Sequence, residues 1–351
     1  MMESDGQEKS GIIGTGNLIV DHIKLIDTWP ISGTLSNIFD LKVEGGGAPY
    51  NVLIDIKKID PEMKLAVLGI VGDDPEGEFL INQFQKFNID TRGIKKTSKY
   101  PTSYTDVMTV KGTSERTFFH DRGANRLLDI GIIEPEKLNG TIFYIGYILL
   151  LDNLDKKDFQ YGTVMARLLH QVREKGIKTS VDIVSENSNR YSQIVIPALK
   201  YVDYCVINEI EAERTSSFPI RCLDGKIDYQ NLRKAGKFFI ENGVNEIISI
   251  HMLEGGYLLT KKGEEYFQPS LELPEEFIQG TAGAGDAFNA GILYGFYQGW
   301  EISKCLDFAV RAAAICLNYP TTTEALVSYD KIMEITNKFN YRNKDFLVGE
   351  E

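Results

Sequence analysis

The sequence predicts an α/β fold, a doubly wound and mainly parallel sheet flanked by helices, with a small β-sheet lid. Three observations favour this fold class. Short apolar segments typical of buried strands alternate along the chain with amphipathic helical patterns. Two extended stretches interrupt that alternation and predict a second, smaller sheet. The chain has 351 residues, of which 43% are hydrophobic, so it can bury the core of such a fold.

Six apolar segments are predicted to form the strands of the main sheet: residues 12–14, 65–71, 142–146, 179–183, 202–207 and 246–251. Helical patterns lie between them at residues 76–87, 156–175 and 230–242. Ligands of such sheets bind beyond the carboxyl ends of the strands. Four polar residues fall there, and we expect them to lie near one site: Asp182, Asn208, Glu211 and His251.

The lid is predicted from two stretches, at about residues 18–44 and 100–125. The first is extended and is interrupted by Pro30 and Gly33. The second has two strand-like runs, 104–110 and 116–120, on either side of a polar turn at 111–115, which is the pattern of a β-hairpin. Phe118 and Phe119 lie in the second run, and their apolar rings need a surface to cover them.

A glycine-rich turn enters a predicted helix at residues 280–286, which read Gly-Thr-Ala-Gly-Ala-Gly-Asp. The small residues Gly283, Ala284 and Gly285 let backbone N–H groups approach an anion closely, and the helix adds its positive dipole end. Asp286 stands where it could accept a proton from an attacking hydroxyl group. An aspartate also suits a helix N-terminus without any chemistry, so this segment alone leaves both interpretations open.

A second glycine cluster, at residues 45–47, precedes a predicted helix. Pro49 suits the first turn of that helix. Asn51 also falls in its first turns although asparagine is a poor helix former, so it either binds substrate hydroxyl groups or is simply solvated. Farther upstream, Asp21 lies in an extended apolar segment, where its carboxylate either accepts hydrogen bonds from a ligand such as a sugar or meets water.

These segments together resemble the ribokinase-like (PfkB) carbohydrate kinase family, over about residues 11–329. Residues 280–286 resemble its D-T-x-G-A-G-D signature, and residues 46–51 its G-G-x-x-x-N signature. Residues 72–77 resemble its G-x-D-x-x-G turn, and residues 208–211 its N-x-x-E motif. Each motif is short, but the four follow one another in the order of the family.

The resemblance implies transfer of the γ-phosphate of ATP to a primary hydroxyl group of a sugar or a sugar-like molecule. Asp286 would be the base, and the backbone of Gly283, Ala284 and Gly285 the anion hole. The acceptor would be held by Asp21, Gly46, Gly47, Asn51 and Asn125. The nucleotide would be contacted by Asn208, Glu211, His251, Gly256 and Thr281, and Glu211 would also serve Mg²⁺.

The resemblance also implies one kinase domain at residues 11–340, with a lid that closes over the sugar and carries a homodimer contact. ATP and Mg²⁺ are the expected cofactors, and a monovalent cation is a further candidate. Residues 1–10 are polar and acidic, and we expect them to form a disordered tail. Residues 341–351 are expected to form a C-terminal tail.

Charge and composition exclude several other classes. A net charge of −12 argues against a general nucleic-acid or anionic-membrane binder. The longest apolar run, residues 142–151, is about half the length that a membrane helix needs. The four cysteines show no paired metal-binding spacing, and we expect reduced thiols in a cytoplasmic protein.

Other enzyme classes fit the sequence less well. The third glycine of a dinucleotide-binding fingerprint that starts at Gly14 would fall at Ile19, and no Walker-type phosphate loop occurs. A nucleoside (adenosine-like) kinase of the same fold stays open, because residues 16–21 also resemble such enzymes. The rival from another class is a non-catalytic sugar-binding protein with a degraded nucleotide site.

The sequence departs from the family pattern at three places, of which the first two motivate that rival. Gly280 stands where the signature has aspartate, and residues 251–253 read His-Met-Leu where the family usually has T-x-G. Residues 182–184 read Asp-Ile-Val where the family commonly has D-x-N. Because Asp286 and the anion-hole glycines are retained, we expect catalysis to survive, with altered nucleotide contacts.

Overall fold

The computed structural model describes residues 11–112, 116–343 and 347–348. Its centre is a nine-stranded sheet with the strand order β16-β15-β14-β12-β11-β8-β1-β4-β5. Neighbouring strands from β14 to β5 pair in parallel, whereas β15 and β16 add an antiparallel edge. A four-stranded sheet, β3-β2-β6-β7, stands apart from it. The predicted fold class is confirmed.

The strands of the described chain are β1 (Ile12–Gly16), β2 (Ile19–Ile26), β3 (Ile38–Gly46), β4 (Leu65–Gly72), β5 (Asp90–Thr97), β6 (Tyr104–Val110), β7 (Arg116–Asp121), β8 (Ile142–Ile148), β9 (Lys157–Asp158), β10 (Gly162–Thr163), β11 (Lys178–Ile183), β12 (Tyr204–Asn208), β13 (Ile227–Asp228), β14 (Ile247–Met252), β15 (Gly255–Thr260), β16 (Glu265–Pro269) and β17 (Leu347–Val348). The helices are α1 (Ala48–Ile59), α2 (Pro75–Lys86), α3 (Ile130–Ile133), α4 (Val164–Glu174), α5 (Tyr191–Leu199), α6 (Glu209–Ser216), α7 (Tyr229–Glu241), α8 (Ala284–Tyr297), α9 (Ile302–Cys316) and α10 (Tyr329–Met333). Short 3₁₀ turns lie at Gly123–Leu127, Pro135–Lys137, Glu275–Phe277 and Glu334–Asn337.

Helices cover both faces of the main sheet because each face is apolar. One buried cluster joins the sheet to α4, α5 and α7 through residues such as Leu168, Val195 and Phe239. The other joins it to α1, α8 and α9 through residues such as Val52 and Ile292. The chain winds first outward from β1 to β4 and β5, and β8 then returns to the other side of β1. Ligand sites of such sheets lie at the carboxyl ends of strands beside this reversal.

The lid sheet combines both predicted lid stretches. Strand β2 pairs antiparallel with β3 and parallel with β6, and β6 pairs antiparallel with β7. The two predicted hairpin runs are therefore confirmed as β6 and β7. Of the predicted turn between them, residues 113–115 lie outside the described residues, as does the predicted N-terminal tail at residues 1–10.

One predicted helix is shorter in the structure. Residues 156–175 were expected to be helical throughout, but α4 begins only at Val164, and β9 and β10 form a small hairpin before it. The physical reason is local: Gly162 adopts a positive φ of 89°, and Thr163 caps the helix by accepting a hydrogen bond from the Ala166 amide at 3.1 Å.

The described part of the C-terminal segment contacts the domain. Tyr341 forms an antiparallel bridge with Leu271, and β17 pairs in parallel with β13. The remainder of the predicted tail lies outside the described residues. None of the helices in the described part of the chain has the length and apolar character that a bilayer-spanning segment needs.

Candidate active site

A cavity of about 820 Å³ opens at the carboxyl ends of β8, β11, β12 and β14, next to the start of α8. Its polar part contains Asn208, Glu211 and His251, which were predicted at the ends of the strands, together with Asp286 from the glycine-rich turn. Asp182, which was expected at the same edge, also lines it. Its apolar part is formed by side chains from α9 and from the segments that follow β16, including Leu271, Leu273, Ile278, Val310 and Leu317.

The glycine-rich turn places the N-terminus of α8 at this cavity. Gly283 is the N-cap residue with a φ of 83°, a left-handed conformation that glycine adopts without strain. A side chain there would also collide with the carbonyl oxygen of Thr322. Ala284 and Gly285 line the cavity at the first turn, and Thr281 lies at its exposed rim. Backbone N–H groups at such a helix start can bind an anion.

Asp286, in the first turn of α8, is held by two hydrogen-bond donors. The Asn51 Nδ2 atom donates to Asp286 Oδ2 at 2.8 Å, and the Tyr147 hydroxyl donates to Oδ1 at 3.2 Å. Burial raises the pKa of Asp286 to about 6, while these two hydrogen bonds lower it. Asp286 is thus a buried carboxylate that is ionised at neutral pH and aimed by fixed donors, which suits a general base.

Asn51 is itself oriented by another residue. The Thr322 hydroxyl donates to Asn51 Oδ1 at 2.9 Å, which fixes the amide so that its nitrogen faces Asp286. The structure therefore gives Asn51 a position beside the carboxylate of Asp286. Its predicted contact with substrate hydroxyl groups stays a prediction.

The lid contributes Asp21 and the glycines at the end of β3. Asp21 is half-buried on β2, opposite Glu44 of β3 and Thr105 of β6. A Cβ atom on Gly46 would collide with Asp21 Oδ2, so a larger residue there would displace this carboxylate. Gly47 follows as the N-cap residue of α1. Burial raises the pKa of Asp21 to about 7, although a hydrogen bond from the Thr105 side chain partly offsets this effect by lowering the pKa.

Arg116 of β7 ties the lid to the loop after α9. Its Nη2 atom donates to the Pro320 carbonyl oxygen at 2.7 Å. A Cβ atom on Gly280 would lie 3.1 Å from that Nη2 atom and 2.9 Å from the Tyr319 carbonyl oxygen. An aspartate at position 280 would therefore need the loop or Arg116 to move, which is a local reason for the glycine.

Asn125 follows the lid hairpin in the chain and is buried, and its side chain forms hydrogen bonds with backbone groups. Its Nδ2 atom donates to the Leu18 carbonyl oxygen at 3.0 Å, and its Oδ1 atom accepts from the Leu18 amide at 3.3 Å. Asn125 thus fixes Leu18, in the connection between β1 and β2, the strand that carries Asp21. A direct contact between Asn125 and an acceptor stays a prediction.

Asn208 and Glu211 form a capping box at the start of α6. The Glu211 amide donates to Asn208 Oδ1 at 2.9 Å, and the Asn208 amide donates to Glu211 Oε2 at 3.0 Å. The Ser185 hydroxyl adds a hydrogen bond to Glu211 Oε1 at 2.8 Å. This network holds the Glu211 carboxylate at the wall of the cavity.

Three carboxyl groups repel one another across the polar part of the cavity. Burial raises the pKa of Asp182 well above its usual range, and the charges of Glu211 and Asp286 raise it further. Burial likewise raises the pKa of Glu211, with the charge of Asp286 adding to the effect. A bound cation would relieve this repulsion.

His251 and Gly256 occupy paired positions on β14 and β15 but face different surroundings. His251 lines the cavity and packs against the Phe288 ring at 5.2 Å between centroids, and burial lowers its pKa to about 4. Gly256 lies outside the cavity lining, and a Cβ atom there would lie 2.9 Å from the Phe288 ring and from Leu306. Close packing of β15 against α8 and α9 accounts for this glycine.

The sequence model of the pfkB family of carbohydrate kinases matches residues 15–328. This chain belongs to that family. The match spans the lid, both glycine clusters and the first turn of α8, so the predicted family is confirmed.

Individual pfkB relatives resemble this chain over nearly its whole length. A 5-dehydro-2-deoxygluconokinase of Geobacillus thermodenitrificans is 23% identical over 345 residues, which are 95% of this chain and 94% of the relative. A ribokinase of Thermotoga maritima has a TM-score of 0.76 at 19% identity, covering 94% of this chain and 100% of its own. An Arabidopsis thaliana ribokinase in complex with ribose and ATP has a TM-score of 0.75 at 17% identity, with 94% and 99% covered. The two structures show the shared fold.

Two residues of this pfkB site were missed in the sequence. Tyr147 lies at the end of an apolar strand run, and Thr322 lies in a run of three threonines, so neither has a local pattern that marks it. Their positions follow from the fold, which brings the end of β8 and the loop after α9 to Asp286. A polar residue at the carboxyl end of a central strand was the one usable signal for Tyr147.

The candidate site fits a magnesium ion that is held mainly by the phosphate groups of a bound substrate. Among the described residues, no three His, Cys, Asp or Glu side chains are placed to hold a metal ion together. Asp182 and Glu211 nonetheless offer two carboxylates that gain from a nearby cation. Mg²⁺ is commonly bound by one or two carboxylates together with substrate phosphates and water, and this pair suits that arrangement.

Proposed function

We propose that this carbohydrate kinase transfers the γ-phosphoryl group of ATP to a primary hydroxyl group of a sugar or a sugar-like acceptor. The observation that carries the proposal is the placement of Asp286. Its carboxylate is buried, is aimed by Asn51 and Tyr147, and lies at the N-terminus of α8 between the lid and the cavity. Phosphoryl transfer depends mainly on such positioning and on charge stabilisation.

In the proposed step, the acceptor oxygen forms a bond to the γ-phosphorus while the bond from that phosphorus to the β,γ-bridging oxygen breaks. The hydroxyl proton passes to Asp286, and ADP leaves with the electron pair of the broken bond. The N–H groups of Gly283, Ala284 and Gly285 hold the negative charge on the transferring group. The acceptor is held by Asp21, beside Gly46 and Gly47, so that its hydroxyl group faces Asp286.

The apolar part of the cavity suits the nucleoside of ATP, and the polar part suits its phosphates. We propose that Asn208, His251 and Thr281 contact the nucleotide, and that Glu211 and Asp182 face the Mg²⁺ ion on the phosphates. Mg²⁺ would offset charge on the phosphates as it develops. The Arabidopsis thaliana ribokinase, which shares the fold, is in complex with ribose and ATP, and this supports ATP as the proposed phosphoryl donor.

An ADP-release assay with Mg-ATP tests the proposed function. The purified chain would be offered ribose, deoxyribose, fructose, 5-dehydro-2-deoxygluconate and inosine in parallel, with and without K⁺. Turnover of a sugar or sugar acid supports the proposal and identifies the acceptor class. Turnover of inosine alone would favour the nucleoside kinase. Sugar binding without ATP binding, measured by calorimetry, would favour the non-catalytic sugar-binding protein.

The proposed base predicts a specific pH dependence. A carboxyl group with a raised pKa is protonated below that pKa, and protonated Asp286 cannot accept a proton. We therefore expect kcat/KM to level off above about pH 8, to fall about tenfold per pH unit below about pH 7 as Asp21 becomes protonated, and to fall more steeply below about pH 6 as Asp286 is protonated too. Initial rates at constant ionic strength measure this, and a flat profile from about pH 5 to about pH 7 would contradict it.

The outer face of the lid supports the proposal of a homodimer. One face of the lid sheet has apolar side chains that are about half exposed: Leu41, Val43 and Phe119. The ring of Trp29 stacks on that of Phe119, with 6.1 Å between the ring centroids. These apolar side chains flank the Lys24–Asp106 ion pair on the same face, and large apolar side chains left exposed on both edges of one sheet face are suited to burial against a second copy. We expect the Leu41→Asp/Phe119→Asp variant to sediment as a monomer while the unmodified chain sediments as a dimer. The matched control is Phe159→Asp, at a fully exposed phenylalanine outside the lid; equal sedimentation of all three proteins would contradict the lid dimer.

A further inference from the structure

The charges that line the cavity are almost all negative. Its lining contains the carboxyl groups of Asp182, Glu209, Glu211 and Asp286. Within the described residues, the lining contains a single lysine or arginine, Arg342. A nucleotide with several negative charges therefore enters a cavity that offers it one cationic side chain.

The backbone holds Arg342 in a fixed place. Its amide donates to the Ser270 carbonyl oxygen at 2.8 Å, and the preceding residue, Tyr341, pairs with Leu271. The Tyr341 hydroxyl donates to Asp307 of α9, which anchors the segment a second time. The C-terminal segment thus forms one wall of the cavity, and Arg342 points from that wall.

The guanidinium group of Arg342 has an unused donor. Its Nε atom is buried and has no hydrogen-bond partner among the described residues, and no described carboxylate lies within ion-pair distance of the group. The Nε atom of Arg311 is likewise buried without a partner, but its terminal nitrogens pair with Asp307 at 2.9 Å and donate to the Met333 carbonyl oxygen at 2.8 Å. A bound anion would supply the acceptor that the guanidinium group of Arg342 lacks.

The neighbours of Arg342 indicate which part of a nucleotide it meets. On one side, Leu271 and Leu273 belong to the apolar part that suits a nucleoside. On the other side, the Ser270 hydroxyl donates to the Leu253 carbonyl oxygen at 2.8 Å, in the turn after β14 that differs from the family pattern. Arg342 therefore lies between the apolar part and the turn after β14.

We infer that Arg342 binds the donor nucleotide through the phosphate groups nearest the nucleoside, and that the C-terminal segment thereby completes the nucleotide site. This inference rests on the proposed function. Arg342 is a binding residue with no part in the chemical step.

Calorimetric titration of the full chain with adenosine, AMP and Mg-ADP tests the inference. Arg342→Gln removes the charge, Arg342→Lys retains it, and Lys338→Gln removes a charge from an exposed residue of the same segment as a control. We expect Arg342→Gln to weaken AMP and ADP binding about tenfold or more, and adenosine binding hardly at all. Arg342→Lys is expected to fall between Arg342→Gln and the unmodified chain, and Lys338→Gln to match the unmodified chain. Unchanged thermal unfolding shows that the variants are folded.

Two outcomes would overturn the inference while the proposed function stands. One is AMP and ADP affinities in Arg342→Gln equal to those of the unmodified chain. The other is an equal loss of affinity for adenosine and AMP, which would place the arginine on the nucleoside. If the unmodified chain binds none of these nucleotides, the proposed function itself fails and the inference fails with it.

Discussion

Replacing Asp286 with asparagine or alanine is expected to lower kcat by about a hundredfold or more while the KM for the acceptor changes little. In the proposed mechanism the Asp286 side chain accepts the proton in the transition state, whereas Asp21 and the lid would hold the acceptor in the ground state. Asparagine keeps the shape of the side chain and its place beside Asn51 and Tyr147, so it separates loss of the base from loss of packing. Initial rates in the ADP-release assay measure the effect.

A matched control addresses the alternative that Asp286 only stabilises the start of α8. Asp330 is an exposed carboxylate in the first turn of α10, away from the cavity, and Asp330→Asn removes the same kind of helix-terminal charge. We expect that variant to keep its full turnover. Near-normal turnover in Asp286→Asn would remove Asp286 from the role of base.

Replacing Asp21 with alanine is expected to raise the KM for the acceptor about tenfold to a hundredfold, with a smaller effect on kcat. An ionised carboxylate accepts hydrogen bonds worth about 1.5–3 kcal/mol each from neutral donors such as sugar hydroxyl groups. Since burial raises its pKa to about 7, the full effect is expected at about pH 8, where the carboxylate is ionised. Acceptor saturation curves at fixed Mg-ATP give both constants.

Asp106 provides the control for Asp21. It lies on β6 next to Thr105, the residue that pairs with Asp21, so its side chain points to the opposite face of the lid sheet. There it forms an ion pair with Lys24 at 2.5 Å. Asp106→Ala should therefore perturb the lid without changing acceptor affinity. Equal KM values in Asp21→Ala and the unmodified chain would show that Asp21 does not bind the acceptor.

Those parts of the site that lie in one continuous segment could be predicted from the sequence. The turn before α8 and the start of α1 each combine glycine, a helix start and a polar side chain within a few residues, so local rules were enough. Tyr147 and Thr322 could not be predicted, because each acts on a residue more than a hundred positions away. Only the strand order brings them to Asp286 and Asn51.

The elements that were predicted least well are those that tertiary contacts define. Strands β15 and β16 extend the sheet beyond β14 but were not predicted, since the sequence predicted only strands that alternate with helices. Residues 341–343 were expected to belong to a tail, yet Tyr341 and Arg342 pair with the segment after β16. A short polar segment carries no sign of the partner that it meets.

The hydrogen bond from Thr322 to Asn51 has a consequence for the order in which the enzyme is made. The ribosome adds Thr322, the residue that turns Asn51 toward Asp286, 271 residues after Asn51 itself. A nascent chain that stops before Thr322 contains the proposed acceptor-binding residues and the proposed base without their final alignment. Truncated products that end before Thr322 would therefore lack the residue that aligns Asn51 with the proposed base.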